Sequence, residues 1–148
     1  MSVERRIDIF SALISTLSII ALIMVIIGPF AGTFNFGYGY YYYSCLYCEN
    51  WTTIDLITQI FIIILLILQF LIALNELLPK KIISNDLTMI GIIMAGLTWT
   101  LALIGLASFG IWWGFINDFE WWPELGFYGS LVGGILNMIL FILKFKNK

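Results

Sequence analysis

Four stretches of this chain each run for about twenty residues with almost no charge, and they constrain the fold more than any other feature. They fall at about 7–28, 55–78, 87–110 and 125–143. About 20 consecutive apolar residues are what an α-helix needs to cross the hydrocarbon of a bilayer. Lipid offers peptide groups no hydrogen-bond partners, so a spanning backbone must satisfy itself as helices or as a closed barrel. Barrel strands alternate polar and apolar residues, and a run such as 60–68 is apolar throughout. Between the runs there is too little polar sequence to cover a water-facing surface. Charged residues make up 11% of the 148, against about 25% in a soluble domain. The sequence predicts an all-α membrane protein: one domain over residues 1–148, a bundle of four transmembrane helices.

The basic residues give the bundle a direction. All seven lie before the first span (Arg5, Arg6), between the second and third (Lys80, Lys81) or after the fourth (Lys144, Lys146, Lys148). With four spans these regions share one side, which the positive-inside rule makes cytoplasmic. The expectation is a multi-pass protein of the cell membrane with both termini in the cytoplasm. The first apolar run, near twenty residues, exceeds the 7–15 usual for a cleaved signal peptide. Local signals agree with the spans. Pro29 and Pro79 close the first and second. Thr52 with Asp55 resembles a capping box, Ser84, Asn85 and Asp86 offer caps for the third, and Pro123 with Glu124 suits the first turn of the fourth.

Small and polar residues mark faces that meet protein. Ser11, Ser15 and Ser18 form a seam in the first span, and Gly91, Ala95, Thr98, Ala102 and Gly105 another in the third. In the fourth, Gly126, Gly129, Gly133 and Asn137 align, and Gly129 with Gly133 fits the small-x-x-x-small rule for close helix approach. Asn137, deep in its span, needs an interhelical partner, for which Gln59 and Gln69 are candidates. These faces either hold the bundle together or receive another subunit.

The two loops expected outside, about 29–54 and 111–124, are acidic and aromatic. The first contains Tyr40, Tyr41, Tyr42 and Tyr43, the second Trp112, Trp113, Trp121 and Trp122. Such residues either anchor a protein at the headgroup layer or form the hot spots of an adhesive surface. The Gly-Tyr segments can form a small hairpin, and the two loops can pack together as a lid.

Chemistry is sparse. There is no histidine, which removes Ser/His/Asp catalysis and the commonest metal ligand. No ionisable residue stands near the middle of a span, as a proton- or cation-coupled carrier usually requires. Glu76, near a span's end, has Lys80 at i+4 as its expected ion-pair partner. Without a basic domain, nucleic-acid binding is not expected.

Cys45 and Cys48 are the one suggestive pair. In the first outer loop they are expected to form a disulfide. So short a bridge restrains little chain, and short dithiol motifs are often redox-active. Four spans, cytoplasmic ends and Cys45-Leu46-Tyr47-Cys48 just before the second span resemble the DsbB family of disulfide-generating membrane proteins. That resemblance implies a redox role for Cys45 and Cys48 alone. The family's second cysteine pair is missing from the second loop, and Glu49 and Asp55 stand where it has a basic residue near the quinone. The topology also resembles claudin-like tetraspans, but their tryptophan-glycine-leucine-tryptophan signature is absent, and Trp51 follows the cysteines.

The leading expectation is therefore a non-enzymatic structural, accessory or assembly subunit. It would contact lipid and other membrane subunits, or itself, through helix faces and outer loops, with no cofactor and no metal. The alternative is an extracytoplasmic thiol–disulfide oxidoreductase using Cys45 and Cys48. A small oligomeric channel or carrier comes third.

Overall fold

The computed structural model describes residues 8–35, 37, 39–48 and 53–147, without the side chains of Tyr40, Tyr42 and Thr53. Arg5, Arg6, Glu49, Trp51, Thr52 and Lys148 lie outside the described residues. Helix α1 (Ile9–Ile27) leads into strands β1 (Ala31–Asn35) and β2 (Tyr40–Ser44), then α2 (Thr53–Leu77) and α3 (Thr88–Gly110). A π-helical turn (Ile111–Ile116) prolongs α3, followed by β3 (Glu120–Pro123), α4 (Leu125–Leu131), a second π turn (Val132–Leu136) and α5 (Asn137–Lys146). Four helical runs are long and apolar enough to cross a membrane: Ile9–Ile27, Ile54–Leu77, Thr88–Ile116 and Leu125–Lys146.

Helix ends follow local chemistry. Asp8 caps α1 by accepting from the Ser11 backbone N–H at 3.2 Å. Asp86 accepts from the Thr88 N–H at 2.9 Å. Pro123 ends β3 instead of opening a helix, and Glu124 precedes α4 without capping it through its side chain.

Each helix buries one narrow face. In α1 it is Ser11, Ile14, Ser18, Ala21 and Val25, so Ile14 takes the central place and Ser15 lies half-buried beside it. In α3 it is Thr88, Gly91, Ala95, Thr98, Ala102, Gly105 and Phe109. The steps of three and four keep each set on one stripe. The remaining faces expose Ile, Leu and Phe, as a lipid-facing surface does.

The glycines of the fourth run meet the chain's own helices. A Cβ on Gly129 would lie 2.6 Å from Met24 Cβ, and one on Gly133 2.4 Å from Leu66 Cδ2 and 2.8 Å from Ala21 Cβ. Gly126 is held against the carbonyls of Gly28 and Pro29. At mid-depth, Asn137 Nδ2 donates to Ser18 Oγ and Gln69 Oε1, both at 2.9 Å. Gln69 Nε2 donates in turn to Thr98 Oγ1 at 2.8 Å. One polar chain thus links all four spans.

The end away from the strands carries an ionic clamp. Lys144, 6% exposed, contacts Asp8 at 2.7 Å and Glu76 at 3.5 Å, and donates to Ser11 Oγ. Glu76 pairs with Lys81 at 2.6 Å, not with Lys80. The i+4 geometry fails because α2 stops at Leu77 and the chain has turned before it reaches Lys80. Asn75 fastens this connection, accepting from the N–H groups of Ile82 and Ile83 at 2.9 Å each.

Candidate functional site at the sheet end

The all-α expectation omits a three-stranded antiparallel sheet, ordered β2-β1-β3, that closes one end of the bundle. The segment from Ala31 to Ser44 forms a hairpin. Gly39 adopts φ +69° at its turn, and the Gly37 N–H donates to Asn35 Oδ1 at 2.9 Å. The far edge of β1 accepts β3 from the other loop, in the register Ala31↔Pro123 to Phe34↔Glu120. The two loops therefore form one layer. Thr33, fully buried, donates its hydroxyl to the Glu120 carbonyl at 2.6 Å. Gly32 lies opposite Trp122, whose indole occupies the space a Cβ would need, 2.9 Å away. The sheet is stitched to the helices by the N–H of Glu124 donating to the Phe30 carbonyl at 3.0 Å and that of Gly126 to Pro29 at 2.8 Å.

Aromatic rings cover this layer. Phe34 packs on Tyr41 at 4.7 Å, and Tyr41 meets Trp122 edge-on at 6.4 Å. Tyr41 remains 60% exposed and Tyr43 37%. The Trp122 indole N–H donates to Glu124 at 2.5 Å, which fixes its ring. Trp112 and Trp113 sit on the π turn that extends the third span, not in a loop. Trp113 stacks on Phe119 at 5.5 Å, while Trp112 is exposed. Trp121 crosses the helix at Gly110 and Gly114, where added Cβ atoms would fall 2.5 and 2.4 Å from its ring. Between this turn and β3 lies an open groove of about 610 Å³, lined chiefly by Phe115, Phe119, Glu120, Trp121 and Trp122. Phe115 and Phe119 join the tyrosines and tryptophans of the sequence because the π turn and β3 face each other across this groove, a juxtaposition that no local sequence pattern records.

Cys45 and Cys48 form a disulfide just after β2, with Cα atoms 5.0 Å apart. Cys45 is 1% exposed, and Cys48 is half-buried. Next to the bridge, Gln59 Nε2 donates to Ser44 Oγ at 3.0 Å, and the Tyr47 hydroxyl donates to the Ile27 carbonyl at 2.9 Å. Thiol exchange requires a thiolate to reach a sulfur, so only Cys48 is approachable. Among the described residues no group of three His, Cys, Asp or Glu is placed to hold a metal ion.

Gly129, Gly133 and Asn137 run down the bundle interior away from the sheet-end aromatics, while Gly126 at the sheet end packs on the Gly28–Phe30 backbone, so the two groups singled out in the sequence form no common site. Comparison with protein-family models, curated proteins and solved structures finds no match.

Proposed function

We propose that this chain is a multi-pass protein of the cell membrane with both termini cytoplasmic, and that it serves as a structural or accessory subunit. Its partners, other membrane subunits or further copies of itself, meet it through the aromatic sheet at the outer end. The observation that carries this reading is the division of labour between the two surfaces. The glycines and amides of the spans are taken up by contacts within the chain. The sheet, by contrast, presents exposed Tyr41 and Tyr43 on β2, which among the described residues pairs only with β1. Exposed tyrosines on a rigid layer supply contact area at low entropic cost, and an open strand edge can accept a further strand. In this reading the disulfide fixes the chain where it leaves β2.

The test uses the full chain, purified from native membrane in a lipid-retaining polymer. The Tyr41→Ala/Tyr43→Ala variant should lose a partner or the self-associated form while remaining folded, with a stability loss of about 1–3 kcal/mol, the scale of the Tyr41 ring contacts with Phe34 and Trp122. Unchanged association would overturn the reading. Cys45→Ser/Cys48→Ser addresses thiol–disulfide exchange. The subunit reading expects association to persist with a stability loss of no more than about 2 kcal/mol, the chain-entropy scale for so short a loop. If association persisted while disulfide formation in the envelope failed, the redox reading would replace it. A tag beside Asp118 labelled from outside intact cells, with a C-terminal tag protected, is the expected orientation.

A further inference from the structure

Strand alternation sorts the side chains of the sheet between its two faces. Ala31 belongs to the buried core and Thr33 is fully buried, so their face packs on the bundle. Gly32 and Phe34 therefore point away from the helices. Paired residues of antiparallel strands share a face. Phe34 stands opposite both Tyr41 and Glu120, and Gly32 opposite both Tyr43 and Trp122. The outward face thus carries four rings and a carboxylate. Because Gly32 has no side chain, the Trp122 indole lies across it and meets Tyr41 edge-on at 6.4 Å, while Tyr41 packs on Phe34 at 4.7 Å. Glu120 and Trp122 are two residues apart on β3, hence about 7 Å apart on this same face. Glu120 is exposed and makes no ion pair among the described residues.

Charge and shape select an occupant. Segments 29–54 and 111–124 contain no lysine, arginine or histidine, and Asp118, Glu120 and Glu124 leave this end acidic. The described lysines, Lys80, Lys81, Lys144 and Lys146, lie at the opposite end of the bundle, two of them in the ionic clamp. A second copy in the same membrane would bring carboxylates against carboxylates, and its lysines would be out of reach. Such like-charge contacts suppress a pairing. A face turned away from the spans does not meet the lipid around them. Sites for small ligands are concave, whereas this face is an open layer, so a macromolecule must supply the opposing wall. Aromatic faces attract cations. A guanidinium is planar and weakly hydrated, stacks on rings, and takes a carboxylate through two parallel hydrogen bonds; an ammonium is a strongly hydrated point charge.

Resting on the subunit reading, we propose that the partner met by this face is a different protein, whose docking segment presents arginine. Its guanidinium stacks on the rings of Trp122 and Phe34 and pairs with Glu120.

The test follows backbone amide and indole resonances of the isotope-labelled full chain in maltoside micelles. The probe is an acetylated, amidated pentapeptide of alternating glycine and arginine. Two comparison peptides replace arginine by citrulline, which keeps the planar shape without the charge, or by lysine. The expected result is saturable shifts at the Trp122 indole and the Glu120 amide. Affinity for arginine should be about tenfold above citrulline and about threefold above lysine. Glu120→Gln should weaken arginine binding about threefold, the scale of one exposed ion pair, and Glu120→Lys should abolish saturation. The Glu120 side chain is exposed, so both variants should keep the wild-type unfolding midpoint. Equal affinity for the arginine and citrulline peptides, unchanged affinity in Glu120→Gln, shifts confined to other surfaces, or a homodimer cross-linked through Glu120→Cys would overturn the proposal. If the peptide results were negative while Tyr41→Ala/Tyr43→Ala still lost its partner, arginine recognition would fall and the subunit reading would stand. Peptide binding as expected, with association unchanged in that double variant, would sink the subunit reading and with it the claim of a partner protein.

Discussion

Asn137 gives its amide hydrogens to two different helices, Ser18 on α1 and Gln69 on α2, and is itself fully buried. Its Oδ1 has no hydrogen-bond partner among the described residues. Hydrogen bonds between spans contribute about 0.6 kcal/mol on average and rarely approach 2. Asn137→Leu removes two of them and leaves the Gln69 carbonyl buried without a donor. We expect a loss of about 1–2 kcal/mol, read from reversible unfolding in mixed dodecyl maltoside and SDS. Adding Gln69→Leu should recover part of that loss, because removing both partners is cheaper than orphaning one. A double variant no more stable than the single one would show that the amide chain is not coupled in this way. The need for a partner was legible in the sequence from an amide deep in an apolar run. The choice between Gln59 and Gln69 follows from depth. Both α2 and the fourth run start at the sheet end, and ten residues of helix separate the two glutamines by roughly 15 Å. Gln59 stays near the sheet and bonds Ser44, while Gln69 reaches the level of Asn137.

At the scale of elements, the fourth run is two helices joined by a π turn, and tandem Gly133 and Gly134 sit inside that turn. The four-residue spacing of small residues announced close approach, but it does not encode which neighbour approaches. Gly134 faces Trp99, where an added Cβ would come within 2.6 Å of Cβ and 2.7 Å of the backbone nitrogen. Backbone cannot yield as a flexible side chain can. Gly134→Ala should therefore cost about 1–3 kcal/mol by overpacking. Gly96→Ala on α3 meets nothing nearer than Met138 Sδ at 3.9 Å and should leave the unfolding midpoint within about 0.5 kcal/mol of wild type. Equal effects of the two would contradict this account of the helix contact. The strands were harder to read than the helices for a physical reason. Tyr and Trp favour both the membrane interface and the pleated sheet, so a Tyr-rich segment fits an anchoring belt and a hairpin alike. Pairing of β1 with β3 spans nearly ninety residues, as the Thr33–Glu120 bond shows with its separation of 87, and no local pattern records it.

The molecule as a whole is closed twice, by the sheet at one end and by the Lys144 clamp at the other. These closures are separated by the length of α2, whose 25 residues span roughly 37 Å. Sites that far apart without shared partners contribute additively to stability. The clamp adds a pH dependence. Burial disfavours the charged form of Asp8, but this is outweighed by the hydrogen bond from Lys144, then by those from the Ser11 N–H and hydroxyl. The carboxyl is held below its ordinary value. The unfolded chain therefore binds this proton more readily than the folded one, and folding is favoured by deprotonation. The contribution is fully present above the ordinary carboxylate value of about 3.9 and is lost as the pH falls through the lower, folded-state value. Asp8 is partly exposed, so solvent screening keeps the term small, about 1 kcal/mol. Wild type should exceed Asp8→Asn by about that amount at pH 7, and the gap should close as unfolding is followed below pH 4. Thr33→Val, which deletes the hydroxyl bond joining the two loops, should lower stability by a constant amount over the same range. If the Thr33→Val effect also varied with pH, the two ends would share a cooperative unit, and the bundle would transmit between them instead of merely holding them apart.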